Sequence, residues 1–249
     1  MSASQPASRF ADAEQELRSF SYIVSHDMAA SLRHVTEFSR LLVGELGDGL
    51  TGRQQAHAEH IRAAGDNCRL MLEQLCVFSH VQEKTLAKVR QDAMATIRLP
   101  MLQLAFSAKA AGAEIAFEPL DEVYADAELF ALAFKCLMDN AIKFGRPATP
   151  LRIAVQPAHD KRFWRMRVTD NGVGVAPAHR DAAFQMFRRL NGKSPHPGAG
   201  AGLAICRRIA RLHGVEAAFL DCAEGACVEL ALPHAALSVR PLRRNKGGQ

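Results

Sequence analysis

FWRMRVTDNGVG, residues 163–174, is the stretch on which the reading of this chain turns. Phe163 to Thr169 reads as a strand, and it runs straight into AspAsnGlyValGly at 170–174. A carboxylate at the end of a strand can accept a hydrogen bond from the exocyclic amine of a base. Glycines beside it let the backbone approach a ligand closely. Alone, Asp-Asn-Gly is a common turn, so its meaning depends on what stands around it.

Upstream lies LeuMetAspAsnAlaIleLysPhe (137–144), near the end of a helix that starts at about Ala127. Asn140 offers an amide oxygen suited to Mg²⁺, and Lys143 follows one turn on, placed to meet phosphate. Downstream, GlyAlaGlyAlaGly (198–202) leads into a helix at about 201–213. Backbone N–H groups at such a helix start favour triphosphate oxygens. A dinucleotide site would place its glycines early, at the start of a βαβ unit, whereas these come late. No GxxxxGK[ST] is present, which excludes a P-loop. Further helix is predicted at about 100–112 and strands at 114–117, 151–156, 216–221 and 226–232. That mixture, with consecutive strands pairing without crossovers, predicts a two-layer α/β sandwich.

The first 85 residues have a different period. Leu17, Val24, Met28, Val35, Phe38 and Leu42 fall on heptad-like spacing, and Gly47 and Gly49 mark a turn. Thr51 then opens a second helix with Gln54 completing a capping box, and Ile61, Ala64, Cys68, Met71, Leu75 and Phe78 make its stripe. Each apolar seam is too broad for one partner helix. The expectation is an antiparallel hairpin whose two copies form a dimeric four-helix bundle, making the whole chain α+β. On the first helix His26 lies about 200° from Val24 and Met28 and so points away from the seam. Neutral imidazole is a nucleophile, and Asp27 could hold its Nδ1 proton and free Nε2 to attack. An exposed His beside an Asp is otherwise an ordinary surface pair.

These readings divide the chain into a leader (1–9), a helical unit (10–85), an α/β unit (86–235) and a basic tail (236–249). With 48% hydrophobic and 23% charged residues the chain can fill a core. The net charge of +5 is partly that tail and lacks the patterned basic face of a nucleic-acid binder. Six cysteines without a CxxC pair read as reduced buried thiols. Neither a signal peptide nor a run long enough to span a membrane is visible, so a cytoplasmic location is expected. His34, His57, His60 and His80 match no motif.

In order and content the segments resemble the two-component sensor histidine kinases with an ATP domain of the gyrase type. SerHisAspMetAlaAlaSerLeuArgHis (25–34) is similar to their phosphoacceptor box, AspAsnAlaIleLysPhe (139–144) to the N box, and AspAsnGlyValGly to the first glycine box. Phe184 and Phe187 resemble the aromatic pair before the lid. ProGlyAlaGlyAlaGlyLeuAlaIleCys (197–206) resembles the second glycine box, and PheArgArgLeuAsnGlyLys the phytochrome-like branch. The resemblance implies an ATP-dependent kinase that phosphorylates His26, with Asp27 as the adjacent base, and passes the group to a response regulator receiver domain. Asn140 would ligate Mg²⁺ and Lys143 would contact phosphate. Asp170 would read the adenine amine against Gly172 and Gly174, and Gly198, Gly200 and Gly202 would let a lid at about 176–200 close. A homodimer is expected from the apolar seams, and because the nine or so residues before the first helix cannot form a sensory domain, a separate sensor or input protein is expected.

Three departures stand out. Ser31 replaces the usual proline and should straighten the first helix. Ala30 stands where bifunctional members carry Thr or Asn, which implies weak phosphatase activity. Cys136 stands at the first N-box asparagine. The departures motivate an alternative: a phosphotransfer or scaffold protein with a degenerate ATP domain.

Overall fold

The computed structural model describes residues 28, 30–159, 162–190 and 198–234. The leader, His26, Asp27 and the basic tail therefore lie outside the described residues. The chain divides into two compact units, 1–83 with 193–201, and 84–192 with 202–249.

In the first unit, helix α1 runs through residues 30–46, a 3-10 turn covers Gly47–Gly49, and α2 covers Gly52–Glu83. Gly47 takes φ +51°, which lets the chain reverse. The capping box forms as the sequence predicts: the Thr51 N–H donates to Gln54 Oε1 at 2.8 Å, and the Gln54 N–H donates to Thr51 Oγ1 at 3.4 Å. The helices meet where Gly65 is buried; a Cβ there would overlap the Thr36 methyl. The seam residues Met28, Val35, Phe38 and Leu42 on α1 and Ile61 on α2 stay exposed, Phe38 by 69%.

The second unit opens with strand β1 (Lys88–Asp92), which pairs antiparallel with β3 (Glu122–Asp126) as a separate ribbon. Helix α3 (Ala93–Ala110) lies between them in sequence, followed by β2 (Glu114–Phe117). The expected start of α3 at residue 100 is corrected: Asp92 caps it by accepting the Ala95 N–H at 3.1 Å, and Pro100 sits inside the helix. After β3 come α4 (Ala127–Lys143), β4 (Arg152–His159), β5 (Phe163–Asp170), a short α5 (Arg180–Ala183), α6 (Gly202–Leu212), β6 (Ala217–Leu220) and β7 (Ala226–Pro233).

The main sheet has the order β2-β4-β5-β7-β6. Crossover-free pairing holds for β4–β5 and β6–β7, but β2 pairs with β4 in parallel, so a connection through α4 joins them. Alternation in β5 turns Trp164, Met166 and Val168 inward. There they face Leu230 and Val228 of β7 and, from α4, Phe130, whose ring centroid lies 5.6 Å from that of Trp164. Helices α3, α4 and α6 are thus one layer and the sheet the other. On the opposite sheet face Arg165 and Arg167 hold Glu229 at 3.0 and 2.8 Å. Among the described residues no helix is long and apolar enough to cross a membrane.

Candidate functional site

The alternation that fills the core also places Asp170. It is in phase with Trp164, Met166 and Val168, so its carboxylate falls on the inward face at the strand's end, 6% exposed. Burial raises its pKa above the usual carboxylate value, against two hydrogen bonds that oppose the rise. Both bonds fall on Oδ1: the Gly172 N–H donates at 2.8 Å and the Ala226 N–H at 3.3 Å. Oδ2 is left without a partner among the described residues, an acceptor held still for an incoming N–H.

The glycines next to it are dictated by crowding. A Cβ on Gly172 would collide with the carbonyl oxygen of Phe144, the residue after α4. Gly174 takes φ +71°, and a Cβ there would sit 2.5 Å from the Gly225 carbonyl oxygen. Asn171 fixes the turn from the other side. Its Oδ1 accepts the Arg152 N–H at 2.8 Å and its Nδ2 donates to the Pro150 carbonyl at 2.9 Å. The Val173 N–H donates to the Phe144 carbonyl at 2.9 Å, so the glycine turn is stitched to the end of α4.

That end carries Asn140 and Lys143. The Asn140 side chain is half-buried and has no hydrogen-bond partner among the described residues. Lys143 bonds Asp139 one turn back at 2.5 Å, so the expected phosphate contact requires it to leave that carboxylate. Cys136, one turn before Asn140, is a neutral thiol: burial pushes its pKa up to about 12. Across from it Gly202 opens α6, and a Cβ there would lie 3.7 Å from the Cys136 Cβ. Gly198 and Gly200 fall in the first unit, with Gly200 at φ +71°. Of the aromatic pair, Phe184 is buried edge-on to Phe219 at 5.4 Å beneath the Arg207 guanidinium at 4.1 Å, while Phe187 takes φ +61°.

The second unit thus brings together Asn140, Lys143, Asp170, Gly172, Gly174 and Gly202. Sequence reasoning missed Gly225, the Ala226 N–H and the Phe144 carbonyl, which build the wall behind Asp170. The one available signal was Gly225 immediately before a predicted strand. Among the described residues no three His, Cys, Asp or Glu side chains group to hold a metal. A lone amide oxygen at Asn140 still fits Mg²⁺, which keeps most of its waters and takes phosphate oxygens as further ligands.

Residues 125–236 match the family described as Histidine kinase-, DNA gyrase B-, and HSP90-like ATPase. Cyanobacterial phytochrome A of Nostoc sp. is 30% identical over 202 residues, 80% of this chain and 26% of the relative. Sensor protein QseC of Salmonella typhi is 30% identical over 224 residues, 86% of this chain and 44% of the relative. The chain therefore spans less than half the length of either. The structure of full-length ShkA in complex with AMPPNP shares the fold, with a TM-score of 0.60 at 24% identity over 86% of this chain and 44% of that one.

Proposed function

We propose that this chain, whose residues 125–236 match the histidine kinase-, gyrase B- and HSP90-like ATPase family, is a sensor histidine kinase core that binds ATP with Mg²⁺, phosphorylates His26 and passes the phosphoryl group to an aspartate of a response regulator receiver domain. The observation that carries the ATP part is Asp170: a buried carboxylate with one oxygen pinned by two backbone N–H groups and the other open. Such a group accepts one N–H donor in one direction, as the amine of adenine requires. Gly172 and Gly174 let the turn pack directly on the Phe144 and Gly225 carbonyls, which holds the Asp170 carboxylate in place.

The phosphate end follows from α4. Asn140 would hold Mg²⁺, which would supply positive charge to offset that of the phosphates. Lys143 exchanges Asp139 for a phosphate oxygen, and the N–H groups at the start of α6 serve the same chain of oxygens. Transfer would be in-line: Nε2 of His26 bonds the terminal phosphorus as its bond to the bridging oxygen breaks and ADP leaves, with Asp27 first holding and then taking the Nδ1 proton. The proposal extends to a homodimer, since a second hairpin would cover Val35, Phe38 and Leu42. It also includes a cytoplasmic location and, from Ala30, weak phosphatase activity.

Incubation with γ-labelled ATP and Mg²⁺ tests the reading. The expected label is alkali-stable and acid-labile and is absent from His26→Gln. A protein that binds no nucleotide would be a phosphotransfer or scaffold component instead. Labelling that survives in His26→Gln would place the chemistry elsewhere.

A further inference from the structure

The segment that follows α2 ends on a carboxylate shared with the two helices of the nucleotide residues. Asp126, 2% exposed, is the N-cap of α4: its Oδ1 accepts the Leu129 N–H at 3.1 Å. Its Oδ2 accepts the Ala87 N–H at 3.1 Å, and Lys84, the first residue after α2, brings its ammonium to 3.3 Å from Oδ1 while pairing also with Glu128. The backbone N–H of Asp126 donates to Nε2 of His213 at 3.2 Å. The Nδ1 of that ring lies 2.8 Å from the Ile209 carbonyl in α6. An acceptor role at Nε2 fixes the proton on Nδ1, so His213 is neutral and bridges α6 to α4.

Residues 84–88, the beginning of α4 and the end of α6 are therefore fastened at one point. The opposite ends of the two helices carry Asn140 and Gly202. Asn140 is fourteen residues from Asp126, about 21 Å along a rigid rod. A buried carboxylate holds its place only while its donors stay. If the 84–88 strap lifts, Asp126 loses one backbone N–H and one cation, and the α4 cap must rearrange. Resting on the nucleotide reading above, we propose that Asp126 is a positioning residue that couples the anchoring of the 84–88 strap to nucleotide binding at the far ends of α4 and α6. Linkage makes the effect reciprocal: an anchored strap tightens nucleotide, and bound nucleotide suppresses lifting of the strap.

The Ala87 amide reports this directly. Hydrogen exchange is followed in the whole chain with and without AMPPNP and Mg²⁺, alongside the affinity of the analogue. The expected result is that the analogue slows Ala87 exchange about fivefold or more, and that Lys84→Met weakens the analogue by a similar factor. Lys84→Arg keeps the wild-type affinity. Asp126→Asn weakens binding in the same direction, and the Lys84 variants carry the test if it fails to fold. A role in stability alone would lower the melting temperature while leaving the response of Ala87 to the analogue unchanged. Analogue bound with Ala87 exchange unaltered overturns the coupling and spares the nucleotide reading. No binding of the analogue overturns both.

Discussion

The hairpin and the ATP unit are built from similar apolar residues used in opposite ways. In the ATP unit Phe130, Phe134, Trp164, Met166, Ile205, Ile209 and Leu230 are enclosed by the chain's own sheet and helices. In the hairpin Val35, Phe38, Leu42 and Ile61 line up on helix faces and remain in water. The ATP unit encloses a core of its own, although Leu99, Leu102 and Phe106 of α3 stay exposed, whereas the hairpin presents half of one. The stability of the first belongs to a single chain, and that of the second depends on a further apolar surface.

Substitutions that remove the same kind of side chain from each region test the contrast. Phe134→Ala leaves a cavity under the sheet and is expected to lower the stability of the ATP unit by about 3–5 kcal/mol, independent of protein concentration in denaturant titrations. Phe38→Ala should leave that transition alone. In the proposed dimer it removes about 2 kcal/mol of burial per copy, read as a rise in the dissociation constant by sedimentation. An unchanged dissociation constant would remove Phe38 from any interface. Gly174→Ala tests a third kind of constraint, backbone rather than core. With φ +71° and the Gly225 carbonyl 2.5 Å away, a methyl group should cost about 1–3 kcal/mol and weaken binding of ATP more than that of inorganic triphosphate.

The smallest effect comes from protons. His213 is buried, and burial depresses its pKa below the ordinary 6.5. A depressed folded-state value means that stability is fully present above 6.5 and is lost as pH falls toward and through the folded value. Thermal unfolding between pH 8 and 5, compared with His213→Gln, should show this slope in the wild type and lose it in the variant. Asp170 has the opposite sign, since its raised pKa favours the folded state at low pH and loses that contribution as pH rises through the folded value.

What could be read in the sequence was local. The Thr51–Gln54 box forms between residues three apart, and strand Glu114–Phe117 and the turn at 170–174 carry their own punctuation. The β1–β3 ribbon was missed because KVRQD and EVYAD are short and charged, and only packing pairs them across more than thirty residues. The expected α3 start lies two turns too late: Asp92 caps the helix, and Pro100 is accommodated inside it. Within the site, Asp170 and its glycines were legible as a motif. The Ala226 N–H that shares its oxygen is 56 residues away and is delivered by strand register, which no local pattern encodes.

The contact between Gly65 and Thr36 has a consequence for the chain's history. With no room for a Cβ beneath that methyl group, position 65 can change only after position 36 has shrunk. The two sites should therefore drift as a couple among descendants: Ser or Ala opposite Ala in some lineages, Thr opposite Gly in others. Lineages holding two bulky partners at once should be missing.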